Sequence, residues 1–282
     1  AEDFATLHNL SNGRGMLGVG RGTVPREILH LNHDQISIGS TDNPDMVADD
    51  ARNREWFEEA MDVIHLALTE EKFSHTGKYF TFPMPGIPDR GTTVTSLTLV
   101  PRPLYPYETW QAATSPASVD YCPKVGHGAV FWNQHPVFTK RAWDRYAEVH
   151  EQTHGSPLAT GAQRMVVLNV CIEDTHEAAI ESARPGHDEF WKFLGPYGWS
   201  RGYMGADGKP VGPGLIPTLE ESIAQKTILV GTPEEVAEGV QFYRELLGVE
   251  YLTIYPHLVG DPYSKAVEQM QRFMGEVVPL VK

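Results

Sequence analysis

An arginine held between glycines at the end of a short apolar run is equipped to grip an anion. The stretch "LSNGRGMLGVGRG" (Leu10–Gly22) places Arg21 in that way, behind Met16, Leu17 and Val19 and between Gly20 and Gly22. If the run is a strand, Arg21 stands at its C-terminal end, and a guanidinium fork matches two phosphate oxygens. Gly18 and Gly20 carry no side chain, so backbone or ligand can approach closely. The competing reading is an arginine bonded to loop carbonyls. A second anion pattern lies in "TWQAATSPASVD". Ser115 before Pro116 is a helix start. The free amides of Ala117 and Ser118, with the helix dipole, favour an anion there, and the Ser115 and Ser118 hydroxyls add donors. A plain N-cap explains Ser115 alone.

Other residues stand where strands end. Trp132, with Asn133 beside it, closes "GAVFWN"; Tyr255 and His257 close "VEYLTIYPH". His257 has the chemistry of proton transfer, and a rim histidine is the alternative. Arg201 lies in "GWSRG", where it meets a substrate anion or is simply solvated. "GWSRG" also fits the G-x-S-x-G nucleophile elbow, but the elbow needs a strand before it and a helix after it. The flanks "FLGPY" and "YMGADGKPVGPG" read as loops. "GVGRG" is not G-x-G-x-x-G and no helix follows directly, which excludes a dinucleotide fingerprint. His30-x-x-His33 has metal-like spacing without a third ligand near in sequence, so no metal is expected.

These residues need a scaffold of strands and helices. "AEDFATLHNL" reads as a helix with Phe4, Leu7 and Leu10 on one face. "GMLGVGRG" follows as a short buried strand, and 23–45 as irregular chain. A helix is predicted from about Pro44 to Glu71, with Trp56, Ala60, Val63, Ile64, Ala67 and Leu68 inward. "FSHTGKYFTF" reads as a hairpin and 83–108 as a proline-rich excursion. Then "TWQAAT", "GAVFWN", "RMVVLNVCIE" and "VEYLTIYP" alternate with helices, the one at Thr232-Pro233-Glu235 opened by a capping box. The last helix sets Val267, Met270, Met274, Val277 and Val281 on one side. Residues 184–217 show no sustained period and read as a mobile lid. Apolar strands alternating with helices imply parallel strands buried on both faces. An open doubly wound sheet and a (β/α)8 barrel both satisfy that rule.

Bulk properties exclude several classes. The 282 residues suit one large domain or two small ones. A formal charge of −14 without a Lys/Arg cluster argues against nucleic acid. Cys122 and Cys171 form no C-x-x-C pair, which excludes ribbon zinc sites and thioredoxin-type motifs and points to a cytoplasmic protein with reduced thiols. No apolar run reaches the length of a membrane span. The chain opens inside an amphipathic helix, so further residues are expected before Ala1.

Three motifs carry a family resemblance. "AEDFATLHNLSNGRGMLGVGRG" resembles the first signature of the luciferase-like flavin-dependent monooxygenases, "WQAATSPASVDYCPKVGHG" resembles the second, and "ILVGTPEEVAEGVQFYRELLGVEYLTIY" resembles the C-terminal segment. The resemblance implies a (β/α)8 barrel whose first three strands lie upstream of the opening helix. Residues 1–282 would then form a single, N-terminally incomplete barrel domain, with an excursion at 72–108 and a lid at 184–217. It implies that Gly20, Arg21, Ser115 and Ser118 bind the phosphate of reduced FMN, and that Trp132 lies near the flavin or substrate. His257 and Arg201 are the candidates for catalysis. The implied activity is monooxygenation of a small organic substrate with reduced FMN and dioxygen, an NAD(P)H:flavin reductase supplying the flavin, in a homo-oligomer. The alternatives are an F420-dependent oxidoreductase of the same fold and a non-catalytic flavin-binding protein.

Overall fold

The computed structural model describes residues 1–22, 44–212 and 214–281, with 44–49 described by backbone alone. His30 and His33, and the irregular chain expected around them, lie outside the described residues. The chain divides into two compact units, Ala1–Thr109 and Trp110–Lys282.

The first unit holds α1 (Glu2–Leu10), β1 (Met16–Val19) and α2 (Pro44–Thr69). Two small hairpins follow, β2 (His75–Thr76) with β3 (Thr81–Phe82) and β4 (Pro88–Asp89) with β5 (Thr92–Thr93). Its core joins Ala5, Ala67, Leu68 and Leu99, with Phe4, Leu17, Ile64, Phe73 and Tyr107 packed against them. The inward face of α1 is not the one hydropathy predicts: Leu7 and Leu10 are exposed, and His8 is buried. His8 wins the interior position because its ring nitrogens lie 3.1 Å from the Gly15 carbonyl and 3.3 Å from that of Tyr105. A buried polar group with partners costs little.

The same correction applies to α2. Asn53, Phe57 and Met61 are buried, one position on from the expected Trp56 and Ala60, while Ala67 and Leu68 are buried as expected. Trp56 instead packs on Phe80 of the hairpin, with ring centroids 5.3 Å apart. Glu59 fixes that hairpin by accepting the backbone N–H groups of Lys78, Tyr79 and Phe80. β1 is not buried on both faces; its residues alternate exposed and half-buried.

The second unit is built on parallel strands. β6 (Glu108–Ala112), which enters this unit at Trp110, pairs with β7 (Gly128–Trp132), and β7 pairs with β8 (Arg164–Ile172). β8 is the spine: β10 (Tyr251–Tyr255) pairs along Met165–Asn169, and β9 (Ile228–Gly231) pairs along Asn169–Ile172. The four-residue β9 is an additional strand that the alternating pattern does not reveal. Between the strands run α3 (Pro116–Lys124), α4 (Pro136–His154), α5 (His176–Leu194), α6 (Leu219–Ala224) and α7 (Pro233–Leu247), with α8 (Tyr263–Arg272) last. The predicted caps form. Ser115 Oγ accepts from Ser118 N at 3.2 Å, and Thr232 with Glu235 completes a capping box.

The two faces of β8 have different fates. Val166, Leu168, Val170 and Ile172 enter the main core with Trp143, Tyr146, Val236, Val240 and Tyr243. Met165, Val167 and Asn169 point the other way, and pairing places Tyr251, Thr253 and Tyr255 of β10 beside them. Those three β10 residues are exposed, so this strand too is covered on one face and open on the other.

Two helices depart from the pattern read in the sequence. α5 continues to Leu194 through Pro185, eleven residues into the stretch expected to be a loop. At Gly186 a Cβ would meet Leu258 Cβ at 2.6 Å, so the loop after β10 packs directly on the helix backbone. α8 and the turn after it bury Ala266, Gln269, Phe273 and Val277, while Met270 and Met274 are exposed. Gln269 takes a core position because its amide accepts from Ile172 N at 2.7 Å and donates to Ile172 O at 2.9 Å. It completes the last residue of β8, a task no apolar side chain can do.

Candidate functional site

The open face of the second unit's sheet carries a cluster of aromatic rings. Trp132 ends β7 at its centre, with ring centroids 5.8 Å from Phe190, 5.6 Å from Trp199 and 6.0 Å from Tyr255. The spacing is that of favourable edge and tilted ring contacts. Phe190 comes from α5 and Trp199 from the 3-10 turn Trp199–Gly202. That turn is seated on the end of β7: His135 N donates to Gly202 O at 2.7 Å, and a Cβ on Gly202 would meet Asn133 O at 2.5 Å. Asn133 takes a left-handed conformation, φ 58°, and its buried Nδ2 has no hydrogen-bond partner among the described residues.

A buried amide sits beside the rings. Trp132 Nε1–H donates to Asn169 Oδ1 at 2.7 Å, and Asn169 is 9% exposed. His257 follows β10 and lies edge-on to Tyr255, centroids 6.5 Å apart. Its Nε2 is 3.1 Å from the carbonyl of Asp261. A carbonyl only accepts, so Nε2 carries the proton and Nδ1 is the nitrogen with basic capacity. Arg201 is exposed on the same turn as Trp199. Ser200 of "GWSRG" is fully buried within the 3-10 turn Trp199–Gly202, which is not the setting of a nucleophile elbow.

Ser115 and Ser118 form a hydroxyl pair at the start of α3, with Oγ atoms 3.0 Å apart. No acidic residue occupies the first turn of that helix, so its positive end is not offset locally. In the first unit, Arg21 is half-buried and follows β1. Its Nη1 donates to Asp50 Oδ1 at 2.9 Å, and Asp50 is shared with Arg54 at 3.6 Å. Burial and the neighbouring Arg21 charge hold Arg54 below the usual arginine range. The Nε and Nη2 edge of Arg21 makes no hydrogen bond with the described residues, and that edge is the bidentate face a phosphate takes. A Cβ added at Gly18 or Gly20 would meet nothing within 4 Å among the described residues.

Trp132 and Tyr255, both read in the sequence as strand ends, meet here. Phe190, Trp199 and Asn169 were not anticipated. The signal for Asn169 is a lone amide inside the apolar run "VVLNVC", which needs a partner or a ligand to be tolerated there.

A hydrogen-bonded chain ties the segment that bears these rings to the fold. His187 of α5 lies with Nε2 2.8 Å from Ser222 Oγ and Nδ1 3.1 Å from Asp188 Oδ1; Tyr203 OH lies 2.8 Å from Ser222 Oγ and 2.6 Å from Thr227 Oγ1. Burial lowers the His187 pKa against the opposing pull of Asp188 and Glu220, with Arg184 adding to the lowering. The folded state therefore binds a proton on His187 less readily than the unfolded chain. Its stabilising contribution is complete above the unfolded pKa of about 6.5 and is lost as pH falls through the folded value. Thermal midpoints of wild type and His187→Gln between pH 7.5 and 5 should converge toward acid. Burial lowers His65 and His135 too, so the difference between the proteins is the quantity to read.

Parallel strands alternating with helices, and an aromatic face at their ends, define an α/β barrel-type enzyme scaffold. The chain belongs to the luciferase-like monooxygenase family, whose profile matches residues 1–250. It is 24% identical over 296 residues to the F420-dependent glucose-6-phosphate dehydrogenase of Kineococcus radiotolerans, covering 100% of this chain and 73% of that one. Among solved structures it is similar to a monooxygenase of Streptomyces bottropensis (TM-score 0.72, 18% identity, 99% of this chain and 72% of that one). It is likewise similar to the oxygenating constituent of 3,6-diketocamphane monooxygenase from Pseudomonas putida, solved with FMN (TM-score 0.71, 19% identity, 99% and 74%). An F420-dependent secondary alcohol dehydrogenase has the same fold (TM-score 0.64, 13% identity, 100% and 74%). These relatives are oxidoreductases, and the chain is an oxidoreductase-family member of luciferase-like barrel type.

Proposed function

We propose that this protein is a monooxygenase that uses reduced FMN and dioxygen on a small organic substrate. The observation that carries the reading is the face built by Trp132, Phe190, Trp199 and Tyr255, with the Asn169 amide beside them. Such a face can orient a ligand by ring contacts, which suits chemistry carried by the cofactor. The donors present fit a phosphate-bearing cofactor: the Nε and Nη2 edge of Arg21, which no described residue takes, and separately the Ser115 and Ser118 hydroxyls at a helix start. Bound FMN would supply the electrons that activate oxygen. The chain's residues would hold the phosphate and keep the substrate dry. A separate NAD(P)H:flavin reductase and a homo-oligomeric state belong to the same proposal.

The second reading is an F420-dependent dehydrogenase, favoured by the similarity to glucose-6-phosphate dehydrogenases and by His257, whose Nδ1 could take a substrate proton. Anaerobic titration with reduced FMN and with F420, followed by admission of oxygen, separates the readings. Monooxygenase function predicts binding of reduced FMN and protein-dependent oxygen uptake. Preference for F420 without such uptake transfers the assignment to the dehydrogenase. Binding of flavin with turnover of neither leaves a non-catalytic flavin protein.

A further inference from the structure

We propose that Asn169 is a substrate-orienting hydrogen-bond donor, and that the ligand it selects is an apolar ring system bearing a carbonyl oxygen. An indole N–H can only donate, so the amide atom 2.7 Å from Trp132 Nε1 is the oxygen. That contact settles the side-chain orientation which an amide otherwise leaves ambiguous. The NH2 group therefore points away from Trp132, and no other hydrogen bond reaches the Asn169 side chain among the described residues. The residue is more than nine-tenths buried, yet its NH2 group still reaches solvent on the open face, where a ligand acceptor can replace water.

Its neighbours define the ligand. Register places Asn169 directly beside Tyr255, and Trp132 beside Val167 on the adjoining strand. The Thr253 hydroxyl on the same face is already spent on Met165 Sδ at 3.0 Å. Asn169 thus offers a neutral donor beside the Trp132 and Tyr255 rings. An alkane would leave that amide unpaired. A ring ketone satisfies both the rings and the donor. The inference rests on reading this face as the substrate side of the proposed oxidoreductase site.

Equilibrium dialysis with fluorenone and its hydrocarbon counterpart fluorene tests it. The wild-type Kd ratio of fluorene to fluorenone should fall about fivefold in Asn169→Leu, the worth of a neutral hydrogen bond, while fluorene itself binds as before. Trp132→Phe keeps the ring but removes the N–H that orients the amide, and should lower the ratio in the same direction by less. It carries the test if the Asn169 variant does not give the wild-type circular dichroism. A ratio unchanged in both variants overturns the proposal. So does a loss of riboflavin affinity in Asn169→Leu with the ratio intact, since the amide would then serve the cofactor ring. Failure of oxygen uptake with the ratio shift present would remove the monooxygenase reading and leave this donor in place.

Discussion

Arg21→Ala should weaken FMN binding by on the order of 1.5–3 kcal/mol, the usual worth of a hydrogen bond to a charged group, and leave riboflavin affinity unchanged. The argument starts from geometry. Asp50 holds the guanidinium by Nη1, so the side chain is pre-positioned after β1 rather than sampling solvent. No described residue takes the opposite edge, which fits a planar anion. Riboflavin lacks the phosphate and gives the internal control in the same titration. Loss of both ligands to the same degree would show that Arg21 supports the fold and does not read the phosphate. Asp50→Asn adds a second arm. Removing the competing carboxylate charge should hold or tighten FMN binding if a phosphate is the ligand. It should have no ligand-specific effect if the Arg21–Asp50 pair is purely structural.

What was legible in the sequence was local chemistry. Ser115-Pro116 and Thr232-Pro233-Glu235 announce helix starts because cap and amide are within four residues of each other, and both caps form. The hairpin at His75–Phe82 and the strands β6, β7, β8 and β10 were legible for the same reason. The rotation of α1, α2 and α8 was not. His8, Asn53 and Gln269 displace apolar residues from the buried stripe, His8 and Gln269 by bonding to backbone atoms far along the chain, and hydropathy assigns such residues to the surface. α5 continues past Pro185, and its Gly186 lies under Leu258, a contact across 72 positions that no periodicity reports. The same holds for the site. Trp132 was visible as a strand end, whereas Phe190 and Trp199 reach it only because α5 continues and the turn at Gly202 seats on Asn133. Asn169 was hidden inside an apolar run of which Val166, Leu168, Val170 and Cys171 pack in the core.

Arg164→Ala should lower stability by about 3–5 kcal/mol, through unmet buried carbonyls and the space left by the side chain. Arg164 opens β8 and is 4% exposed. Its guanidinium donates to the carbonyls of Ala162, Trp143 and Ala159 at 3.0, 3.0 and 3.1 Å. It also lies over the Trp143 and Tyr146 rings, 5.2 and 5.9 Å from their centroids. Alanine removes all of this where water cannot substitute. Arg164→Met restores volume but not the donors, so it should recover only part of the loss. Arg145 is the informative comparison. It makes ion pairs with Asp120 and Glu148, more charge–charge contacts than Arg164 has, but does so in solvent. Exposed pairs contribute little, and Arg145→Ala should leave the thermal midpoint close to wild type. At roughly 2–4 °C per kcal/mol for a chain of this size, Arg164→Ala should melt about 10 °C below it. Equal shifts in the two alanine variants would mean that charge pairing, and not the capture of carbonyls at the foot of β8, is what this arginine contributes.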